Sequence, residues 1–507
     1  MPRQDQGPDR RADSVADGGL YLAIDQGGHA SRAMVYDARG TLIAEAVRAI
    51  GVSRPRPDWV EHDGEAIVAS IQGAVHDVAR RLGPGAARRV VAAGLATQRS
   101  NTACWDRHSG GALAPVISWQ DRRAHAWLRR FAGHELAVHR TTGLFLSAHY
   151  GISKLQWCRE HVPAVQAAAG AGRLAWGPMA SFLLFRLLNE RPLLVDPANA
   201  SRTLLLNLQT LDWDPGLLAL FGMSAEALPV CVPSCHDFGT LPFGESEVPL
   251  RVTNGDQSAA LYAYGAPRAD TAYVNLGTGA FIQFGTGSRP LAAPCLLSGI
   301  VLHDGKVPSY VLEGTVNGAA GALVRYEQRF GMSEAEAEDH YDEWLAADEE
   351  PPLFLNGVSG LGAPYWIADF RSRFVGEGED WQKLVAIGES IVFLLQVNLE
   401  AIGDAAPEPP RRLVVTGGLA AVAGLCQRLA DLSGLPVYRP VDCEATARGT
   451  AYLAAGCPAD WREPEAGRGC AADAIPGRRF EPRPAGELHA RFARWRREMD
   501  AAVAACS

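Results

Sequence analysis

Two apolar segments, each followed by a glycine-rich turn and a second strand-like segment, constrain the fold of this chain more than any other feature. The first pair of strands begins at residues 20–24 and the second at residues 271–276. Short apolar runs that are split by turn residues are typical of strand meanders. Because the same pattern occurs twice, the sequence predicts two related halves that face each other across a cleft.

Amphipathic helices alternate with these strands. A helix is predicted over 64–82, since Ile67, Ile71 and Val75 recur on one face, and a buried strand is predicted over 90–95. Strands that alternate with helices are typical of layered α/β proteins, so the sequence predicts the α/β class. A length of 507 residues predicts two or more domains.

The composition excludes several classes of partner. The formal net charge is -9, which argues against nonspecific binding to nucleic acid or to an anionic membrane surface. No apolar run reaches the roughly 18 residues of a membrane-spanning helix, and the polar residues 1–18 are predicted to form a disordered tail. The ten cysteines are scattered without a C-x-x-C pair, so we expect reduced thiols and a cytoplasmic protein.

Three glycine-rich turns follow apolar strands and are candidates for phosphate binding. They are Gly27-Gly28, Gly277-Thr278-Gly279 and Gly417-Gly418. A phosphate must approach backbone N–H groups closely, and a Cβ atom would block that approach. A tight turn explains each one equally well by itself, but a strand precedes all three, which favours phosphate binding.

Two aspartates are candidates for the chemistry itself. Asp25 ends the first strand, where a carboxylate suits Mg²⁺ beside a polyphosphate, although a helix cap or turn is the alternative. Asp256 precedes a helix-like run over 259–264. It is either a general base for an attacking hydroxyl, with Gln257 orienting the substrate, or a helix N-cap. The residues by themselves leave these alternatives open.

Beyond these features, the chain carries a series of motifs in a fixed order. They read DQGGHASRAMVYD (25–37), PDWVEHD (57–63), TQRSNTACW (97–105), SWQDRRA (118–124), ANASRTLLLNLQTLDWD (198–214), NGDQSAAL (254–261), LGTGAF (276–281), SGLGAPYW (359–366) and VTGGLA (415–420). Over about residues 20–500 the chain resembles the FGGY carbohydrate kinases, and within that family its pattern is closest to the glycerol kinases.

The resemblance implies an ATP-dependent kinase with two actin/hexokinase-like (RNase-H-like) domains. Residues 19–263 would form the N-terminal domain, with the substrate site and the first phosphate loop. Residues 264–500 would form the C-terminal, nucleotide-binding domain. ATP and Mg²⁺ are the expected cofactors, a small polyol or sugar is the expected substrate, and a homodimer or homotetramer is the expected assembly.

The resemblance also assigns roles to individual residues. Asp256 would be the general base and Asp25 would orient Mg²⁺. The nucleotide would be bound by Gly27, Gly28, His29, Arg32, Gly277, Thr278, Gly279, Gly417 and Gly418. The substrate pocket would be lined by Arg99, Ser100, Trp119, His149, Asp256, Gln257 and Phe281. Such a transfer depends on positioning and charge neutralisation more than on covalent help from the protein.

Six positions depart from the glycerol kinase pattern, two of them Leu419 and Val422, where small or amide residues are usual in the adenosine segment. Gly28 and His29 stand where the family carries two threonines. Ser100 replaces a glutamate, and His149 replaces a tyrosine. Loss of the carboxylate removes a strong acceptor for the hydroxyls of a small triol. We therefore predict a larger or different polyol, or a ketose, in place of glycerol; neutral drift at these positions is the alternative.

Two classes of function remain. An active ATP-dependent polyol or sugar kinase is favoured by Asp25, Asp256 and the intact Gly277-Thr278-Gly279 turn, because a protein without catalysis has no need of a general base. The alternative is a catalytically weak regulatory or binding protein that retains the fold. The altered first turn and the altered adenosine segment are the best support for this alternative.

Overall fold

The computed structural model describes residues 18–347, 350–441, 444–461 and 477–506, without the side chains of 334–339. Residues 1–17 of the predicted tail lie outside this part of the chain. The chain divides into two compact units. The first comprises 1–267, 299–309 and 444–467, and the second comprises 268–298, 310–443 and 468–507. The predicted domain boundary between 263 and 264 stays a prediction.

Strands and helices alternate along residues 18–267. The strands are β1 (Leu20–Gln26), β2 (Ala30–Asp37), β3 (Leu42–Ala49), β4 (Glu61–His62), β5 (Val90–Thr97), β6 (Thr102–Asp106), β7 (Val116–Ile117), β8 (Leu174–Pro178), β9 (Leu194–Val195), β10 (Leu206–Asn207), β11 (Asp212–Trp213), β12 (Val230–Cys231), β13 (Cys235–Phe243) and β14 (Ser246–Gly255). The α-helices are α1 (Gly64–Ala87), α2 (His125–Leu128), α3 (Glu135–Thr142), α4 (Gly151–His161), α5 (Pro163–Gly170), α6 (Met179–Leu187), α7 (Pro197–Ala200), α8 (Pro215–Phe221) and α9 (Asp256–Ala260).

The remaining described residues continue the alternation. The strands are β15 (Thr271–Leu276), β16 (Ala280–Gly287), β17 (Leu297–His303), β18 (Pro308–Val316), β19 (Leu353–Leu355), β20 (Arg373–Val375), β21 (Arg412–Thr416), β22 (Val437–Pro440) and β23 (Gly477–Phe480). The α-helices are α10 (Ala320–Phe330), α11 (Glu334–Ala346), α12 (Asp380–Ala405), α13 (Ala423–Ser433), α14 (Ala445–Ala454) and α15 (Gly486–Ala504).

A six-stranded sheet organises the first unit, in the order β13-β14-β5-β1-β2-β3. β1 pairs antiparallel with β2 and parallel with β5, and β14 pairs parallel with β5. Ile67, Ile71 and Val75 of α1 are buried in the core that covers this sheet. The predicted meander and the predicted apolar face of the helix are therefore confirmed.

A seven-stranded sheet organises the second unit, in the order β17-β18-β16-β15-β21-β22-β23. β15 pairs antiparallel with β16 and parallel with β21, and β21 pairs parallel with β22. The strands β16, β15, β21 and β22 thus repeat the pairing of β2, β1, β5 and β14 in the first unit. The repeat that the two hairpins predicted is present in the structure.

The long helix α12 lies in the core of the second unit. Among the described residues it is the one helix long and apolar enough to cross a membrane, and 83% of its most apolar window is buried in the protein. Leu384, Ile391 and Leu395 are among its buried side chains. Packing in the core therefore accounts for its apolar sequence.

Two predicted helices have different bounds in the structure. The helix expected over 64–82 extends to Ala87, because Pro84 begins a further turn after Gly83 interrupts the helical geometry at φ 76°. The helical run expected over 259–264 is instead the short helix α9, which begins at Asp256.

Candidate active site

The carboxyl ends of three neighbouring strands in the first unit bring the candidate chemical groups together. Asp25 lies at the end of β1, Arg99 follows β5, and Asp256 follows β14. β1 pairs with β5 as far as Gln26, and β14 pairs with β5 as far as Gly255. Ligands of open α/β sheets usually bind outside the carboxyl ends of parallel strands, so this edge is the natural place for a site.

Asp25 and Arg32 are direct cross-strand partners in the β1-β2 hairpin. Nη1 of Arg32 lies 3.4 Å from Oδ2 of Asp25, and its Nε lies 3.6 Å from Oε2 of Glu444. The sequence analysis missed Glu444, because no local pattern links it to a hairpin so far upstream in the chain. One guanidinium is thus shared between two carboxylates.

Burial raises the pKa of Asp25 to about 7, since this residue is only 5% exposed. The guanidinium of Arg32 opposes the shift, whereas the nearby carboxylates of Asp256 and Glu444 add to it. A buried acid among other acids is poorly stabilised as an anion, and a cation placed beside it would stabilise the charged form.

The residues at this edge of the sheet suit a magnesium ion that takes few ligands from the protein. Among the described residues, no group of three or more His, Cys, Asp and Glu side chains is arranged to hold a metal ion. Mg²⁺ at nucleotide sites usually keeps several waters and takes one or two carboxylates besides the phosphates. Asp25 therefore suits a Mg²⁺ held chiefly by a nucleotide.

The turn after β1 is short and lacks hydroxyl side chains. The N–H of Gly27 donates to the carbonyl of Ala30 at 3.0 Å. A Cβ atom at Gly28 would lie 2.8 Å from Nε2 of Gln98, so the missing side chain makes room for that amide. His29 is exposed at the tip of the turn. Its imidazole is thus accessible where the glycerol kinase pattern would place a hydroxyl.

Asp256 is the first residue of α9, and Gly255 occupies the N-cap position. The structure therefore does not support the N-cap alternative for Asp256. Oδ1 of Asp256 accepts from the N–H of Gln257 at 2.7 Å, and Oε1 of Gln257 accepts from Nη2 of Arg99. The carboxylate, the amide and the guanidinium form a connected polar group at the end of β14.

Ser100 is buried beside this group and has the left-handed φ of 67°. Its Oγ has no hydrogen-bond partner within the described part of the chain. A buried hydroxyl without a partner is unfavourable unless water or a ligand supplies one. The rings of Trp119 and His149 come from separate segments of the chain, and their centroids are 5.4 Å apart.

Burial lowers the pKa of His149 well below its usual range, and four basic side chains add to the effect. They are Arg122, Lys154, Arg202 and Arg99. His149 is therefore neutral near pH 7. The sequence analysis did not single out Arg122, Lys154 or Arg202, although Arg122 and Arg202 lie inside two of the motifs quoted above.

The other two glycine turns lie together in the second unit, because β15 and β21 are parallel neighbours. The N–H of Gly277 donates to the carbonyl of Gly279 at 2.9 Å. Gly417 has φ 94°, and a Cβ atom there would lie 2.5 Å from the carbonyl oxygen of Leu276. Only glycine satisfies both requirements, so the close approach of these two turns depends on it.

The rest of the predicted nucleotide segment also lies in the second unit. Thr278 is the middle residue of its turn, and its carbonyl accepts from the N–H of Gly321 at 3.0 Å. Gly418 begins a short 3-10 helix that precedes α13. Phe281 is half-buried on β16, opposite Asn275. The predicted site residues are thus divided between the two units, and Phe281 lies in the second.

Comparison with known proteins places this geometry in context. The model of the FGGY family of carbohydrate kinases, N-terminal domain, matches residues 20–262, and that of the C-terminal domain matches residues 272–456. A glycerol kinase of Alkalilimnicola ehrlichii is 39% identical over 449 residues, which cover 86% of this chain and 89% of the relative. A glycerol kinase of Thermus brockianus is 37% identical over 503 residues, which cover 95% and 98%.

Solved structures give the same result for the fold. Glycerol kinase of Plasmodium falciparum, solved with ADP, has a TM-score of 0.82 at 22% identity and covers 96% of this chain and 98% of its own. A gluconate kinase of Lactobacillus acidophilus has a TM-score of 0.81 at 19% identity, with 96% and 99% covered. The predicted class, α/β with two actin/hexokinase-like domains, is confirmed.

Proposed function

This chain belongs to the FGGY family of carbohydrate kinases and is an ATP-dependent kinase of a polyol or sugar, and we propose that Asp256 is the general base of its reaction. In that reaction an acceptor hydroxyl attacks the γ-phosphorus of ATP. The bond from the γ-phosphorus to the β,γ-bridging oxygen breaks, and ADP leaves. The hydroxyl proton passes to the carboxylate of Asp256.

One observation carries this proposal, namely that Asp25, Arg99 and Asp256 end three adjacent strands of one sheet. Asp25 and Asp256 are close enough for the charge of one to raise the pKa of the other. A base for the acceptor and a carboxylate for the nucleotide's metal ion must lie close to the same phosphoryl group. The order of β1, β5 and β14 meets that requirement.

The other residues have positioning roles. Arg99 and Gln257 hold each other and would orient the acceptor hydroxyl towards Asp256. Asp25 would hold Mg²⁺, which when bound neutralises charge on the phosphates. The turns at 277–279 and 417–418 would surround the phosphates and the adenosine with backbone N–H groups. Nothing in the comparisons supports the alternative of a catalytically weak regulatory protein.

Three further features of the proposal concern the setting of the enzyme. Mg·ATP is the proposed nucleotide form, the cytoplasm is the proposed compartment, and a homodimer or homotetramer is the proposed assembly. The described cysteines are free thiols, in keeping with a reducing compartment. The substrate is proposed to be larger than glycerol, because Ser100 replaces a glutamate at a buried position.

Asp256→Asn tests the proposal, with ADP release as the measurement. Removal of a general base typically lowers turnover by about 10²–10⁴-fold, and we expect a loss in that range. The thermal stabilisation by Mg·ATP should persist, because the amide keeps the shape of the side chain. Asp237→Asn, at an exposed residue of β13, is the matched control. Near wild-type turnover of Asp256→Asn would assign the base to another residue.

A further inference from the structure

We propose that Asp196 and Asn199 are positioning residues for the phosphoryl transfer, and that they act through the hydroxyl of Thr97 to hold the strand end between the two candidate acids. This inference rests on the proposed function and gives three more residues a role at the same site. It follows from the register of the six-stranded sheet and from hydrogen bonds between buried side chains.

Thr97 occupies the central place at this edge of the sheet. It is the last residue of β5, in register with Gln26 of β1 on one side and with Gly255 of β14 on the other. Asp25 immediately precedes Gln26, and Asp256 immediately follows Gly255. Because backbone hydrogen bonds join neighbouring strands, a displacement of Thr97 would be transmitted to the backbone beside each acid.

The residues that orient the acceptor depend on the same strand end. Arg99 stands two residues after Thr97, and a Cβ atom at Gly255 would overlap Cγ of Arg99. The stem of Arg99 therefore lies against the backbone that leads into Asp256. Its guanidinium donates to Oε1 of Gln257. The place at which β5 ends thus determines the positions of both the guanidinium and the proposed base.

Three buried side chains are joined end to end beside this strand. Oγ1 of Thr97 donates to Oδ1 of Asn199 at 3.2 Å. Nδ2 of Asn199 donates to Oδ1 of Asp196 at 2.8 Å, and the N–H of Asn199 donates to Oδ2 at 3.1 Å. None of the three residues is more than 1% exposed. Bulk water does not reach these groups, so a broken bond would leave a buried polar atom unpaired.

The carboxylate of Asp196 fixes the direction of these hydrogen bonds. An ionised carboxylate only accepts, so the amide nitrogen of Asn199 must face Asp196. The amide oxygen of Asn199 must then face Thr97, whose hydroxyl is left as the donor. Rotation of that hydroxyl would deprive the buried amide oxygen of this donor, and the end of β5 is held in one place as a result.

A helix cap alone does not account for a carboxylate at residue 196. Asp196 is the N-cap of α7, and the cap uses only Oδ2 and the N–H of Asn199. Serine or asparagine would cap a helix equally well. Burial raises the pKa of Asp196 to about 6, although the hydrogen bonds from Asn199 oppose the shift, so its charge is costly near neutral pH. Its second oxygen, which binds the side chain of Asn199, provides a reason for that cost.

Two variants of Thr97 test the hydrogen bond to Asn199. Thr97→Val keeps the shape of the side chain without the hydroxyl, and Thr97→Ser keeps the hydroxyl without the methyl group. ADP release is measured with short alditols, ketoses and sugar acids, and the acceptor that wild type uses fastest serves for all variants. We expect Thr97→Val to lower kcat by about tenfold or more, because the reacting groups are displaced, and Thr97→Ser to stay within about threefold of wild type.

The Michaelis constant provides a second readout for these variants. The KM for Mg·ATP should change by less than about threefold, since the glycine turns at 277–279 and 417–418 are untouched. A loss of general stability would not produce this division between kcat and KM. Equal kcat values for Thr97→Val and Thr97→Ser would overturn the role of the hydroxyl.

Asn199→Ala separates the hydrogen-bonded chain from the helix cap. The backbone N–H that binds Asp196 remains, and only the amide is lost. We expect kcat to fall about as far as in Thr97→Val. The double variant should lose no more than about threefold beyond either single variant, because both changes break the same connection. Additive losses would show that the two residues act independently and would overturn the inference. Asn189→Ala, which removes an exposed amide that binds Thr240 and Glu247, is the matched control and should keep the wild-type kcat.

Asp196→Asn tests the carboxylate itself. The shape is kept, but one of the two acceptors becomes a donor, so the side chain of Asn199 is no longer held in the same orientation. We expect kcat to fall by about tenfold, with urea unfolding as the measure of the folded fraction. A change in stability without a loss of kcat per folded molecule would leave Asp196 with a structural role alone and would overturn its positioning role.

The variant Asp256→Asn distinguishes this inference from the proposed function. If it loses turnover while Thr97→Val, Asn199→Ala and Asp196→Asn retain wild-type kcat, the positioning roles are overturned and the proposed function stands. If wild type itself shows no acceptor-dependent ADP release with any of the compounds, the proposed function is overturned, and the inference that rests on it is overturned as well.

Discussion

The β1-β2 hairpin of the first unit and the β15-β16 hairpin of the second have the same strand pairing and different chemistry. In the first, Asp25 stands two residues before the glycine turn, opposite Arg32. At the equivalent place in the second, Asn275 stands opposite Phe281. Nδ2 of Asn275 donates to Oγ1 of Thr416 at 3.3 Å, so a neutral hydrogen bond replaces an ion pair.

The atoms that surround the glycine turns also differ between the two hairpins. A Cβ atom at Gly28 would meet the end of a flexible side chain, that of Gln98. A Cβ atom at Gly279 would lie 3.1 Å from the carbonyl oxygen of Val316, and one at Gly417 would meet the backbone of Leu276. The comparison teaches that strand pairing fixes where a residue lies, while the residue type decides whether the hairpin supplies charge or closely packed backbone.

The strongest test of this comparison is Asp25→Asn, which makes the first hairpin resemble the second. We expect turnover to fall by about a hundredfold or more, because charge stabilisation at the phosphates is lost. Thermal stability should stay the same or rise, since a buried acid is removed. Asn275→Asp is the reciprocal control and should lower turnover by less than about tenfold. Equal losses of turnover in the two variants would show that the negative charge of Asp25 does not distinguish the first hairpin from the second.

Gly417→Ala tests the packed backbone of the second unit and should have the next largest effect. Strain at a left-handed residue is about 1–3 kcal/mol, and here a Cβ atom also contacts a carbonyl oxygen. We expect a lower melting temperature and weaker stabilisation by Mg·ATP. Gly434→Ala is the control, because Gly434 also has a positive φ, of 69°, but no atom lies within 4 Å of the added Cβ. Similar changes in both variants would mean that φ strain alone is responsible.

The two units should also differ in the pH dependence of their stability. Burial raises the pKa of Asp196 in the first unit to about 6, so the folded state holds the proton more tightly than the unfolded state does. Its contribution to stability is present below about pH 4 and is lost as the pH rises through about 6. Asp196→Asn should therefore gain on the order of 2 kcal/mol relative to wild type between pH 4 and 7, measured by urea unfolding.

Asp270 of the second unit provides the opposite control. Burial opposes the shift, but hydrogen bonds from Thr271 and Arg268 and the charge of Arg412 hold the pKa of Asp270 below its usual range. Its contribution is present above the unfolded pKa and is lost as the pH falls through the folded pKa. Asp270→Asn should therefore be most destabilised near neutral pH and approach wild type in acid. Parallel pH profiles for the two variants would contradict this contrast.

Gly28→Thr should have the smallest effect. It tests whether the side chain of Gln98 can move to make room for a larger residue in the first turn. The new side chain would displace Nε2 of Gln98, and Oε1 of Gln98 would lose its hydrogen bond from Asn101. The hydroxyl would also add a donor for the phosphates. We expect the KM for ATP to change by less than about tenfold. A larger loss of activity would show that this turn is as closely packed as the one in the second unit.

Predictions of single strands and helices succeeded where the apolar pattern of neighbouring residues determines the element. The meander at β1 to β3 and the apolar face of α1 follow from periodicity over a few residues, and the structure confirms both. The bounds of α9 were wrong, because the apolar residues after Ala260 continue the pattern of a helix that ends there. Periodicity does not show where backbone hydrogen bonding stops.

The sequence by itself determined the repeated hairpin, the glycine turns and the identities of Asp25 and Asp256 as the candidate acids. Only the tertiary structure brought Glu444 to Arg32 and brought Arg122 and Arg202 close enough for their charges to lower the pKa of His149. It also showed that the hydroxyl of Ser100 is buried without a partner among the described residues. Short-range order follows from the size and polarity of adjacent residues. The charge and hydration of a site depend on segments far apart in the chain, and packing alone decides which of them meet.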